Sequence, residues 1–220
     1  TSQFVHDRFV EFGCNPRKMV LSDNGIDPSW AGSVQRASSE RVRFGFVAAL
    51  IPSKGAHLLI EAFKELPRER AELKIYGAPA EYEGHAHYFE ELRRNAAGAQ
   101  ISFCGQFPIK DIGKILSQMD VLVVPSIWFE NAPLIIRQAL LARIPVITSD
   151  RGGMAESVQH EINGLHFEMG NAGSLALAMR RFIEDSSLQA RLSASERKVK
   201  TIGDNVQELE EIYERLHATH

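Results

Sequence analysis

The sequence predicts an α/β protein with a doubly wound parallel sheet of about six strands and helices at both termini. Two observations carry this. Between residues 44 and 167, short apolar runs alternate with amphipathic segments in the order strand, helix, strand, the grammar of parallel βαβ units. The loops that open helices, such as Pro52-Ser53-Lys54-Gly55 and the one before Gly152-Gly153, follow strand C-terminal ends, where sheets of this kind bind ligands.

The strands are expected at 44–50, 73–76, 101–104, 121–124, 145–148 and 164–167. The helices between and after them are expected at 56–63, 88–95, 111–118, from Asn131 to about Ala142, from Met154 onward, at 172–182 and at 187–193. Asn131 reads as an N-cap, with Pro133 in the first turn, where a missing N–H costs nothing. At the start of the chain, Phe4, Val5, Phe9 and Phe12 stand at helical spacing and Gly13 can end that helix. Residues 19–21 read as a short strand, and Asn24-Gly25 as a turn. Residues 28–41 are polar and Ser-rich, a linker or loop, and 79–87 form a turn-rich loop. Near the end, Leu209, Ile212, Tyr213 and Leu216 give 206–216 a helical stripe, for which the aromatic face of 3–12 is the expected partner.

Composition narrows the function. The 220 residues suffice for one large or two small domains and a sizeable core. A net charge of −3, with both signs mixed along the chain, argues against a nucleic-acid partner. Cys14 and Cys104 are the only cysteines and no CxxC occurs, which fits a reducing, cytoplasmic compartment. No apolar run approaches ~20 residues, and no signal peptide is expected. Thr1 is not a natural start, so a longer parent chain is expected. His85 and His87 lack the further ligands of a closed metal site and read as solvated.

Two stretches carry chemistry. A strand, a loop with Lys54-Gly55 and a helix start make a phosphate seat, in which glycine lets the backbone approach and lysine supplies charge. The second runs from Pro125 to Glu156. Its helix is nearly all apolar; between Leu134 and Ala142 only Arg137 and Gln138 are polar. Glu130 lies just before the helix, and Gln138, seven residues beyond Asn131, shares its face about 10 Å along the axis. A ligand on this edge would meet Glu130, Gln138 and the N-terminal amides of the helix. Those amides suit an oxygen-rich anion.

This second stretch resembles the nucleotide-sugar site of retaining glycosyltransferases of the two-domain B-type fold, family four. Pro125-Ser126, Glu130, Pro145-Val146, Gly152-Gly153 and Glu156 match the family pattern. Lys54-Gly55 matches its Lys-Gly, Asn24-Gly25-Ile26-Asp27 its crossover signature, and Gly164 to Phe167 a strand that follows a glycine. Two positions depart: Gln138 stands where the family has a second Glu, and Ala48-Ala49 where it has Gly-Arg.

The resemblance implies that residues 28–200 are a Rossmann-like donor domain. Residues 1–27 would be the tail of an acceptor domain plus the crossover, and 201–220 a helix packing back toward 1–13. It implies Glu130 and Lys54 as the catalytic pair, with the donor held by Lys54, Gly55, Gln106, Phe107, Glu130, Asn131, Ala132, Pro133, Leu134 and Gln138. In such a site Glu130 contacts the sugar, Gln138 the ribose, and Gln106 with Phe107 the base. The donor would be a UDP-, GDP- or ADP-linked sugar, and the acceptor a glycan, lipid or small molecule. Without an Asp-x-Asp motif, no metal is expected. A position at the inner membrane face is open, and without the acceptor domain the chain is expected to be inactive alone. Two alternatives stand beside this: a non-catalytic relative, given Ala49 and Gln138, and a sugar-nucleotide epimerase of the same architecture.

Overall fold

The computed structural model describes residues 1–80, 85, 87–195 and 199–218. Residues 81–84 and 86 of the expected loop 79–87 lie outside the described residues. Helix α1 (Gln3–Glu11) precedes a sheet of β1 (Val42–Val47), β2 (Ala71–Tyr76), β3 (Ile101–Gly105), β4 (Val121–Val124), β5 (Val146–Ser149) and β6 (Gly164–Phe167). All pairings are parallel, in the order β3-β2-β1-β4-β5-β6. The chain therefore builds outward from β1 to β3, then returns to the other side of β1 with β4. That reversal is a topological switch point, where a crevice opens at the strand C-terminal ends. Here β1 and β4 pair only through Phe44↔Val121 and Gly45↔Leu122.

Period-two alternation divides the core between the faces. Phe44, Phe46, Val121 and Val123 point into one layer with α2 (Ala56–Lys64), α3 (Tyr88–Ala96), α7 (Ala172–Glu184) and α8 (Leu188–Ser193). Leu122 and Val146 point into the other, with α4 (Ile112–Leu116), α5 (Leu134–Leu141) and α6 (Gly152–Ser157). A Cβ at Gly45 would lie 2.4 Å from Met119 Sδ on this second face, so a larger residue there requires that flexible side chain to move.

Several expected boundaries move for physical reasons. β1 begins at Val42, because Val42 pairs with Ala71, and ends at Val47; beyond it Leu50 keeps one bond, to the Ala78 carbonyl at 2.9 Å. Residues 19–21 are not a strand: Val20 and Leu21 are exposed and have no strand to pair with among the described residues. α5 starts at Leu134 with Pro133 at its N-cap position, not Asn131, whose side chain is engaged elsewhere. α6 starts two residues early, at Gly152.

Asn24-Gly25 is less a turn than a docking point. Ile26 exchanges hydrogen bonds with Lys200 and Ile202 at 2.9 and 3.1 Å. A Cβ on Gly25 would lie 2.4 Å from the Thr201 carbonyl, so only glycine permits that approach. Helix α9 (Ile202–Ala218) begins there, with Thr201 and Asp204 bonding each other's backbone amides at 2.9 and 3.1 Å. Helix α1 docks on α6 and on the loop before α5.

Candidate functional site

The two chemical stretches meet at the switch point. The loop after β1 ends at Gly55, whose left-handed φ of +74° and tight surroundings exclude other residues; a Cβ would stand 1.9 Å from the Pro125 carbonyl. This close approach lays the Lys54 loop on the loop after β4. The Ile127 amide donates to the Ser53 carbonyl at 2.9 Å. Ser126 Oγ lies 2.8 Å from that carbonyl and 2.8 Å from Glu130 Oε1, so its single proton serves one acceptor at a time. Lys54 Nζ donates to the same Glu130 Oε1 at 2.6 Å.

Behind Glu130 the backbone is fixed by α6. The Gly153 amide donates to the Glu130 carbonyl at 2.8 Å, and a Cβ on Gly153 would fall 1.4 Å from the Asn131 carbonyl. The buried Ser149 Oγ donates to the Ser126 carbonyl at 2.7 Å, tying the end of β5 to the same loop. The result is a cleft of about 230 Å³ between the ends of β1 and β4, lined by Ala48, Ala49, Lys54, Ser126, Glu130 and Leu134, among others. Leu134 and Ile135, in the first turn of α5, line the cleft, and their amides have no intrahelical partner by helix geometry. A cation, a hydrogen-bonding carboxylate and free helix amides can together bind a phosphate and a polyhydroxylated group.

Not every expected residue joins them. Lys54, Gly55, Glu130, Pro133 and Leu134 come together. Asn131 turns away, its Oδ1 accepting from Ser2 Oγ at 2.6 Å. Ala132 is half-buried in the loop between. Because α5 begins at Leu134, Asn131 and Gln138 do not share a helical face; Gln138 instead stands one turn above Leu134, half-buried. Gln106 is exposed past the end of β3, and the Phe107 ring packs edge-on against Tyr76 at 6.0 Å. β3 lies two strands out from β1, about 10 Å at ordinary strand spacing. Arg137 is buried in an ion pair with Asp23 and donates to the Asn24 carbonyl at 2.8 Å, so it braces the Asp23-Asn24 segment against α5. Sequence reasoning gave Ser126 no role, although it touches both loops; its only signal was the Pro-Ser pair.

A larger cavity, about 480 Å³, lies at the opposite end of the sheet beside Val42 and Asp120. Size does not make it the site, because it sits at the strand N-terminal ends, away from the crevice the topology creates. Among the described residues, no group of three or more His, Cys, Asp or Glu is arranged to hold a metal ion, and no helix is long and apolar enough to cross a membrane.

A parallel sheet of this order, with helices on both faces, defines a Rossmann-like α/β domain of the B-type glycosyltransferase architecture. The chain belongs to the family of glycosyl transferases group 1, which residues 33–199 match. It is 30% identical over 215 residues to YtcC of Bacillus subtilis, provisionally named a glycosyltransferase, covering 89% of this chain and 52% of that protein. It is 25% identical over 231 residues to the amylovoran biosynthesis glycosyltransferase AmsK of Erwinia amylovora, covering 98% of this chain and 55% of that one. Among solved structures it is similar to HepE of Anabaena in complex with UDP and glucose, with a TM-score of 0.84 and 22% identity, covering 97% of this chain and 61% of that one. The chain thus spans about half the length of the curated relatives it matches.

Proposed function

We propose that this chain is the donor-binding part of a retaining glycosyltransferase that moves a hexosyl group from a nucleoside-diphosphate sugar to an acceptor. The single observation that carries the reading is the Lys54–Glu130 contact at the switch point, 2.6 Å, in a cleft lined by the first residues of α5. A glycosyl donor leaves as a diphosphate, and negative charge grows on it as the anomeric bond breaks. Lys54, the Gly55 loop and the first amides of α5 meet that charge with groups already in place, the economical form of electrostatic catalysis. Glu130 then faces the sugar hydroxyls. Gln106 and Phe107, about two strands away, stand at the distance a base reaches from its diphosphate, and Gln138 offers a neutral partner to the ribose.

The relatives' names support transfer to a polysaccharide or glycoconjugate, and HepE was solved with UDP and glucose. A lipid or a small molecule is the other acceptor class. The other half of the architecture, the acceptor domain, completes the site in this reading, so the chain alone binds donor but does not turn it over. Ala49, at the cleft wall where the family has an arginine, favours a second reading as a non-catalytic relative.

Calorimetric titration with UDP, GDP and ADP, then with their sugar conjugates, tests both. Saturable binding of one base, lost in Lys54→Ala and weakened in Gln138→Ala, is expected, with a Kd between ~10 μM and ~1 mM. Donor binding without hydrolysis or transfer in a two-domain protein would favour the non-catalytic relative. Absence of binding there would overturn the donor reading.

A further inference from the structure

Glu156 matches the family pattern but is not among the residues that line the cleft. Its carboxylate accepts from the Gln3 amide at 2.8 Å and the Phe4 amide at 2.5 Å, two of the free donors that open α1. Ser2 Oγ accepts a third, from Val5, at 3.3 Å. A side chain more than 150 positions away thus caps this helix. From the capped end, α1 reaches the loop that carries Glu130. The Phe4 ring stacks on Phe129 at 5.4 Å and 8° between planes, and Ser2 Oγ donates to Asn131 Oδ1 at 2.6 Å. The residues on both sides of Glu130 are therefore gripped by α1. The Glu130 carbonyl is gripped by Gly153, on the helix that also carries Glu156.

We infer that Glu156 and Phe4 are positioning residues that, through α1, hold the 128–131 loop so that the Glu130 carboxylate faces Lys54 and the donor sugar. This rests on the donor reading above for the sugar, and on geometry alone for the loop. A carboxylate at a helix N-terminus is also favoured by the helix dipole, so the clamp is self-consistent. Removing either residue frees the loop from one side while leaving the Lys54-Gly55 seat, on the opposite wall, untouched. The consequence is selective: contacts to the sugar weaken and contacts to the diphosphate do not.

The test compares the wild-type protein with Glu156→Ala, Phe4→Ala, Glu156→Gln and Glu130→Gln. Amide hydrogen exchange is read without ligand. The Ile127 and Gly153 amides are expected to exchange at least tenfold faster in Glu156→Ala and Phe4→Ala, with the β4 and β5 amides unchanged as the control for folding. Glu156→Gln, which keeps one acceptor oxygen, is expected between these and wild type. Titration with UDP-glucose and UDP then reads the sugar's contribution. The advantage of UDP-glucose over UDP is expected to fall severalfold, to the level of Glu130→Gln, while UDP itself binds no more than twofold weaker than to wild type. Unchanged exchange at Ile127 and Gly153 overturns the clamp, and faster exchange with an undiminished sugar advantage overturns its link to the donor. If wild type binds neither ligand, the donor reading fails and exchange still decides whether α1 holds the loop.

Discussion

Lys54 Nζ and Glu130 Oε1, 76 residues apart in sequence, stand 2.6 Å from each other across the junction of β1 and β4. The pair is partly buried, with 31% and 16% of the two side chains exposed. Its contribution to stability is modest, about 1 kcal/mol. If the proposed donor site is right, its consequence for binding is larger in kind, because an arriving diphosphate would compete with Glu130 for the same ammonium. Glu130→Gln releases Lys54 and removes a carboxylate from beside the phosphates. UDP binding is expected to tighten about fivefold, an energy of about 1 kcal/mol. UDP-glucose gains less, because it loses its sugar contact. Weaker UDP binding in this variant, measured by calorimetry, would show that the two side chains do not compete.

Ala49 offers the complementary experiment. It is exposed at the cleft wall, so a longer side chain does not overpack the core. Ala49→Arg supplies the second cation that the family pattern has there. One charge-assisted contact contributes about 1.5–3 kcal/mol, so UDP affinity is expected to rise at least tenfold, and more steeply at low salt. An unchanged Kd at 20 mM and 200 mM salt would place the guanidinium outside the diphosphate's reach.

What could be read from the sequence followed from local rules. The alternation of apolar runs fixed six strands, and the meeting of the Lys-Gly loop with Glu130 was legible because both follow strand C-terminal ends. The misses were nonlocal. Asn131 obeys every local rule for an N-cap, but Ser2, from 129 positions away, takes its side chain, and α5 starts three residues later. Residues 19–21 have a strand's composition, yet pairing makes a strand and no partner lies among the described residues. The glycine of Asn24-Gly25 is explained by Thr201, near the other end of the chain, and Glu156 by the start of α1. No periodicity within a short window encodes such contacts.

Gly55 joins fold to site, and its replacement is correspondingly costly. Alanine at φ +74° pays about 1–2 kcal/mol in backbone strain alone. Its Cβ would also press on the Pro125 carbonyl at 1.9 Å, forcing the two loops apart. Gly55→Ala is expected to lower Tm by at least about 4 °C, from ~2 kcal/mol at this chain length. The separated loops would also abolish UDP binding. Gly98, with φ +77° and nothing within 4 Å of a Cβ, is the control: alanine there carries the strain without the clash. Equal losses in the two variants would remove the loop contact from the explanation.

His57 predicts how the protein responds to mild acid. Burial pushes its pKa below the ordinary 6.5, and the opposing pull of Glu61 is the weaker effect. Its Nδ1 is 2.8 Å from the Tyr88 hydroxyl, whose own pKa is raised, chiefly by burial, to about 12. A histidine with a depressed folded pKa binds its proton more readily in the unfolded chain. Stability therefore falls as pH drops below 6.5 and levels off below the folded value. His57→Gln is expected to flatten this slope between pH 6.5 and 5 in urea unfolding, leaving the part contributed by His166, likewise pushed down by burial. An identical slope in the variant would assign the acid sensitivity elsewhere.

Asp120 governs the stronger acid limit, at the end of the sheet away from the cleft. Burial raises its pKa, but the Arg43 side chain and amide, with donors 2.8, 2.9 and 3.0 Å away, outweigh burial and hold it below the ordinary 3.8. Gln189 adds a longer bond at 3.3 Å. A carboxylate with a depressed folded pKa contributes stability that is present above the unfolded value and lost as pH falls through the folded one. Both side chains are only 12% exposed, so Asp120→Asn leaves a largely buried guanidinium without its counter-charge, at a cost of about 3 kcal/mol at pH 7. The difference between wild type and variant is expected to be constant from pH 7 to about 5, then to shrink as wild-type Asp120 protonates below 4. Urea unfolding at pH 7, 5 and 3 measures it directly, and a gap of the same size at all three would mean that Arg43 does not depend on the charge of its partner.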